Sequence, residues 1–411
     1  MDVTSSTEAP QSAEPTRTAR HKAKPSKARF WFRRISLAVL ALLLITGIWF
    51  AATFIPYVRD SQGEPTSVLL ATWGRDHGLG SVVAAAEDFY YSHFDVTPIG
   101  GKPTESANFG GDPTPTPSSN TSTGPTPSTS PTPTRAHLTP PATLVSPVKD
   151  GALPDEGVWQ PVASKVDGLH AIYATRVRPD AIHTSVLASL MWIDTKLTKT
   201  MYVPGYLEPG GPNPYDGALP QKFWPDVLAN TNGAFRIQDS QGGYIYQGKT
   251  IVPMVDGQAT LAIDSSGHTT VGKWGRDINP NGDIIVARQN LALIIDHGQS
   301  RVRSGDGFRW GATTHGESAA WRSAIGERAD GSLVYIGSPG LTAQAMADTL
   351  ISAGVQRAMV LDMNNWWVAG FYFKHDASGQ PLCHKLDPNI QEGCDRFLNR
   401  YKRDSLQFLA N

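Results

Sequence analysis

Cysteine is nearly absent from this 411-residue chain: only Cys383 and Cys394 occur, both close to the C-terminus. No CxxC spacing exists, which argues against a thiol metal or redox site. One disulfide across LCHKLDPNIQEGC, formed in an oxidising compartment, is the better reading. Closing a loop of that size is worth roughly 2–3 kcal/mol. Net charge is lacking too, at −1 for the whole chain. No basic stripe follows residue 59, so nothing there suggests a nucleic-acid partner. Also missing are a zinc-protease motif, a P-loop, a GxSxG elbow and a dinucleotide fingerprint. That removes the commonest exported hydrolase classes.

What the chain does have is one long apolar run, ISLAVLALLLITGIWFAATFIPYV at 35–58, closed by Arg34 and Arg59. At ~1.5 Å per residue it makes a helix of roughly 36 Å, enough to cross a ~30 Å hydrocarbon layer. Residues 1–34 carry eight Lys and Arg against Asp2, Glu8 and Glu14. An excess of basic residues stays cytoplasmic. The reading is a single-pass signal anchor in the cell membrane, contacting lipid through residues 35–58, with residues 1–34 inside and the rest outside. A signal peptide cut near Ala51-Ala52 is the competing reading, and it exports the main domain equally.

Composition divides the remainder. Residues 59–102 form a juxtamembrane segment with a short helix, where Leu79, Val82, Val83, Ala86, Phe89 and Tyr90 keep helical spacing. That helix suits either the membrane surface or the main domain. Between 112 and 134, twenty of twenty-three residues are Pro, Ser or Thr. Such a stretch buries no core, so residues 103–147 read as a disordered, extended linker reaching up to roughly 140 Å. Asn120-Thr121-Ser122 inside it fits a glycosylation sequon.

The folded unit spans 148–411. Hairpins are legible at 260–275 and 320–338, the second turning at Ala329-Asp330-Gly331. A broken apolar run covers 284–295. One helix stands out at 341–354, with Thr342 as N-cap and Gly354 as stop. The strand QRAMVLDM follows it, then WVAGFYFK and a turn at Asp376–Gln380. This order predicts an α+β domain with a mostly antiparallel sheet and a few packed helices.

Polar residues collect where these strands end. Asn232 and Gly233 follow an apolar lead-in, and Arg288 and Asn290 lie in the 284–295 run. His315, Glu317 and Arg322 precede or enter the 320–328 strand. Asp362 closes the apolar stretch Ala358–Leu361, with Asn364 and Asn365 just beyond it. A charge at the point where a strand leaves the core needs a partner.

The order of these pieces resembles the phosphodiester glycosidase family, in the manner of a membrane-anchored actinobacterial-type branch. An NGGFF-like segment is matched by Asn232-Gly233-Ala234-Phe235. An RTAIG-like strand followed by DG-x-L is matched by Arg322–Gly326 and Asp330–Leu333. The family's LDGG end is matched by Gly354, Ala358 and Leu361-Asp362. The chain departs at Met363-Asn364-Asn365-Trp366, where the family has glycines. The resemblance implies hydrolysis of glycosyl-1-phosphodiesters of cell-envelope glycans, so the partner is an envelope polysaccharide or a sugar phosphodiester. In that reading Asp362 and Glu317 supply carboxylates beside the sugar carbon and Arg322 a fork for phosphate. Asn232, Gly233, Arg288, Asn290, His315, Asn364 and Asn365 bind substrate. The resemblance fixes no cofactor. Oxygen ligands from Asp362, Asn364 and Glu317 leave a divalent cation as an option. The alternative, favoured by the replaced glycines and by Trp366-Trp367, is an inactive glycan-binding or wall-scaffolding protein on the same fold.

Overall fold

The computed structural model describes residues 27–94, 96–110, 135–149, 151–303, 307–310 and 319–411. The basic residues before 27, the Pro/Ser/Thr run at 111–134 with its Asn120 sequon, and both His315 and Glu317 lie outside those residues. The chain forms two units, Met1–Ser61 and Gln62–Asn411. The first contains the helix Lys27–Arg59, of which Phe30–Arg59 is unburied and apolar. By length and composition it can cross a membrane, as an anchor or as a signal sequence.

The second unit is α+β, and the strand pairs of its sheets are antiparallel. Its eight-stranded sheet runs in the order Gln160–Pro161, Ile172–Val177, Ala188–Ile193, Leu333–Leu341, Ala320–Arg328, Val355–Val360, Leu293–Asp296, Gln299–Ser300. Successive side chains of a strand face opposite ways, and both faces are apolar here. Ala324, Val334 and Ile336 pack with Met346 and Leu350 of the helix Ala343–Ser352. Ile325, Leu333 and Tyr335 pack on the opposite side with residues of two five-stranded sheets, among them Ala229, Leu261 and Phe408. Each fully buried Leu or Met on that helix stabilises by roughly 1.5–3 kcal/mol. Thr342 Oγ1 accepts from Ala345 N at 2.9 Å, and Gly354 takes φ +84° just past the helix end. The first contact satisfies an orphan donor; the second is a conformation that suits glycine.

The juxtamembrane segment belongs to this unit and forms two helices, Thr66–Asp76 and Gly80–His93, joined by an ion pair between Arg75 and Glu87. Leu69 and Trp73 are buried, and Glu64 pairs with Lys402 at 2.7 Å. Residues flanking the Pro/Ser/Thr run are likewise built into the fold. Ala107 and Leu144 are buried, and the Arg176 guanidinium lies 4.0 Å above the Phe109 ring. Apolar side chains at 107, 109, 138 and 144 explain why these flanks belong to the core rather than to a linker. Cys383 and Cys394 form the expected disulfide.

Candidate functional site

Three strand ends meet at Asn232. The strand Val227–Asn232 is buried along its length and lies between Gly370–His375 and Ser405–Ala410. Asn232 Oδ1 accepts from Tyr335 Oη at 2.9 Å and Ala369 N at 3.0 Å; its Nδ2 donates to Gly233 O and to Ser323 Oγ at 3.1 Å. The amide thus pins three chain segments together. Next to it, Gly233 must lack a side chain, since a Cβ would sit 2.4 Å from the Asp404 carboxyl carbon.

Asp362 follows the strand Val355–Val360. Its Oδ2 accepts from Arg403 Nη2 at 2.7 Å, and its Oδ1 from Met363 N at 2.8 Å and Asn364 N at 3.0 Å. Burial pushes its carboxyl above the ordinary range, against the pull of Arg403 and those two N–H groups. A second carboxylate, Asp404, accepts from Tyr202 Oη at 2.7 Å and Arg288 Nε at 3.2 Å. Burial alone would lower the Arg288 guanidinium, but Asp404 beside it holds it above its usual value.

These groups border one small hollow. Asn232, Gly233, Ala234, Asp362, Trp367, Phe397, Tyr401, Arg403 and Asp404 line it, and its volume is about 10 Å³. That is room for about one water. Trp367 lies in its wall with the Arg403 guanidinium 4.8 Å above the ring. Close by, Arg236 pairs with Asp76 of the Thr66–Asp76 helix at 2.7 Å.

Of the residues singled out from sequence, Asn232, Gly233 and Asp362 come together here, and Arg288 reaches the same cluster through Asp404. Asn290 instead donates to Val360 O at 2.6 Å and Leu361 O at 2.9 Å, tying down the strand that leads to Asp362. Asn364 accepts from Trp366 N at 2.8 Å, forming a turn; neither it nor Asn365 is among the residues lining the hollow.

Arg322 lies apart from this cluster. Its Nε donates to Leu341 O at 2.8 Å and its Nη1 to Trp310 O at 3.3 Å, on the helix-covered face of the sheet. Strand alternation is the reason: Ser323, one residue on, faces Asn232, so Arg322 faces away. Complete burial pulls its guanidinium down to about 10. The sequence reading missed Ser323, Arg403 and Asp404. Their signal was present, since Lys402-Arg403-Asp404 is a charge run directly before the alternating strand SLQFLA.

The hollow therefore holds two buried carboxylates, each paired with a guanidinium, beside an amide and a phenol. Residue types of this kind bind phosphate, orient hydroxyls and exchange protons where a substrate reaches them; here the guanidiniums are engaged by the carboxylates. Among the described residues no three His, Cys, Asp or Glu side chains gather as metal ligands.

The family model for phosphodiester glycosidases matches residues 226–362, the stretch from just before Asn232 to Asp362. Among solved structures, the zebrafish N-acetylglucosamine-1-phosphodiester alpha-N-acetylglucosaminidase catalytic domain, auto-inhibited by its pro-peptide, is similar at 13% identity and TM-score 0.38. That match covers 65% of this chain and 87% of the zebrafish one. A hypothetical protein from Synechocystis is similar at 11% identity and TM-score 0.40, over 61% of this chain and 64% of its own length. Both superpositions are partial. No curated protein matches the chain. The stretch of this chain that is similar to the phosphodiester glycosidase family, residues 226–362, contains both Asn232 and Asp362.

Proposed function

We propose that this is a membrane-anchored surface protein whose domain hydrolyses glycosyl-1-phosphodiester linkages of cell-envelope glycans. Its N-terminus is cytoplasmic and the Gln62–Asn411 unit is extracellular. The observation that carries the reading is the convergence of Asp362, Asp404, Arg288 and Arg403 around Asn232. Four charges buried at one strand junction cost more than a purely structural contact requires, because several kcal/mol of solvation are lost per ion. Phosphodiester substrates use such a set. Guanidiniums hold the phosphate, and a carboxylate stands beside the developing oxocarbenium ion or the attacking water. Water attacks the sugar carbon, the C–O bond to phosphate breaks, and a phosphomonoester leaves.

The full chain in detergent should release reducing sugar from a sugar-1-phosphate diester, and Asp362→Asn should abolish release. Turnover that survives Asp362→Asn removes the residue from the mechanism.

A second reading rests on the hollow's volume of about 10 Å³ and on Trp367 in its wall. Ligand sites normally offer about 300 Å³ or more. A catalytically inactive glycan-binding or scaffolding protein needs no such room at Asp362. Trp367→Gly distinguishes the two: it raises turnover if the indole merely restricts entry, and produces none if the site is dead.

A further inference from the structure

A separate pocket of about 430 Å³ shares no lining residue with the hollow. It lies between the 96–105 segment, the start of the Ala320–Arg328 strand and the loop at 387–391. Its volume falls within the range of small-molecule sites. The walls are tied in place: Thr97 Oγ1 donates to Ala319 O at 2.8 Å, and Asn389 Nδ2 to Glu105 Oε1 at 3.1 Å. Arg176 donates to Ser106 O and to Leu386 O, both at 2.8 Å.

The lining charges balance, Lys102 and Arg176 against Glu105 and Asp387, so no net field selects an ion. Asp387 is engaged by Ser189 Oγ at 3.0 Å and Asn389 N at 2.9 Å. Two polar atoms of the wall, Arg176 Nε and Ser185 Oγ, are buried without a hydrogen-bond partner among the described residues. Neither atom is exposed to the pocket, so its accessible polar wall is made instead by Lys102, Thr104, Glu105, Asn389 and Gln391. Trp321, Val186 and Pro339 supply apolar wall beside them.

We infer that this pocket binds a neutral sugar residue of a glycan chain. A sugar ring offers hydroxyls that both donate and accept, suited to a mixed wall of amide, carboxylate and guanidinium. Its C–H face suits indole and proline. Such a site would hold a glycan whether or not the Asp362 hollow is catalytic, so binding here is read without any turnover.

The test is titration of the full chain in detergent with glucose, galactose, mannose and arabinose, followed by tryptophan fluorescence and calorimetry, with glucose 6-phosphate as the charged control. At least one neutral sugar should bind saturably at millimolar concentration, and more tightly than the phosphate ester. Thr104→Trp, an exposed residue at the rim, should block binding without unfolding the chain. Asn389→Ala should weaken it several-fold, because the exposed Asn389 amide ties the 387–391 loop to Glu105 at the pocket wall. No saturable signal, preference for the phosphorylated sugar, or binding indifferent to both variants would overturn the inference.

Discussion

The hollow at Asp362 and the pocket at Asp387 treat buried charge in opposite ways. Around Asp362 each carboxylate has a guanidinium at 2.7–3.2 Å and about 10 Å³ remains. Around Asp387 the space is about 430 Å³, and two polar atoms in the wall are unmatched among the described residues. Reactive residue types and room for a ligand are thus found in different places. The contrast teaches that a convergent charged cluster is not by itself an open site, and that an open site need not carry the motif.

The largest expected effect sharpens this contrast through stability. Asp404→Ala leaves Arg288 buried and unpaired, and should destabilise by about 3–5 kcal/mol in urea unfolding. Asp387→Asn keeps an acceptor for Ser189 and should cost under about 1 kcal/mol. Equal losses would erase the distinction drawn between the regions. Next in size, replacing both cysteines by serine should lower stability by roughly 2–3 kcal/mol, since the closed loop is short. That bond lies next to the hollow's apolar wall, where Cys383 and Cys394 pack against a cluster containing Phe397 and Tyr401. Gly233→Ala should cost about 1–3 kcal/mol, because its Cβ must displace the Asp404 carboxylate. A tolerated Gly233→Ala would mean the hollow is less tightly filled than the distances imply.

The smallest effect is a pH slope. Burial raises the carboxyls of both Asp362 and Asp387 above an unfolded aspartate. The folded chain then keeps protons that the unfolded chain has lost. Stability from these groups therefore falls as pH rises from the ordinary aspartate value through the raised one. Asp387→Asn should flatten the decline in pH-dependent urea melts; a slope identical to wild type would show that Asp387 does not contribute.

Much of the fold could be read from the chain. Thr342 and Gly354 bracket the helix because capping and positive φ are local chemistry, and the hairpin turning at Gly331 follows for the same reason. The break in the 284–295 run appears as two strands, Ile284–Gln289 and Leu293–Asp296. Asn232 and Asp362 were recognisable because a polar residue ending an apolar strand needs a partner. What escaped was non-local. Strand alternation decides that Ser323 and not Arg322 meets Asn232, and that parity is invisible until the pairing is known. Arg403 and Asp404 reach the site only because the last strand pairs with Val227–Asn232. The docking of 62–76 through Glu64 and Asp76 depends equally on partners more than a hundred residues away.

The most direct measurement is hydrolysis of a glycosyl-1-phosphodiester by the full chain in water enriched in heavy oxygen. Attack at the sugar carbon predicts that the label enters the released sugar and leaves the phosphomonoester unlabelled. Label in the phosphate, or no cleavage at all, would contradict a glycosidase reaction at Asp362.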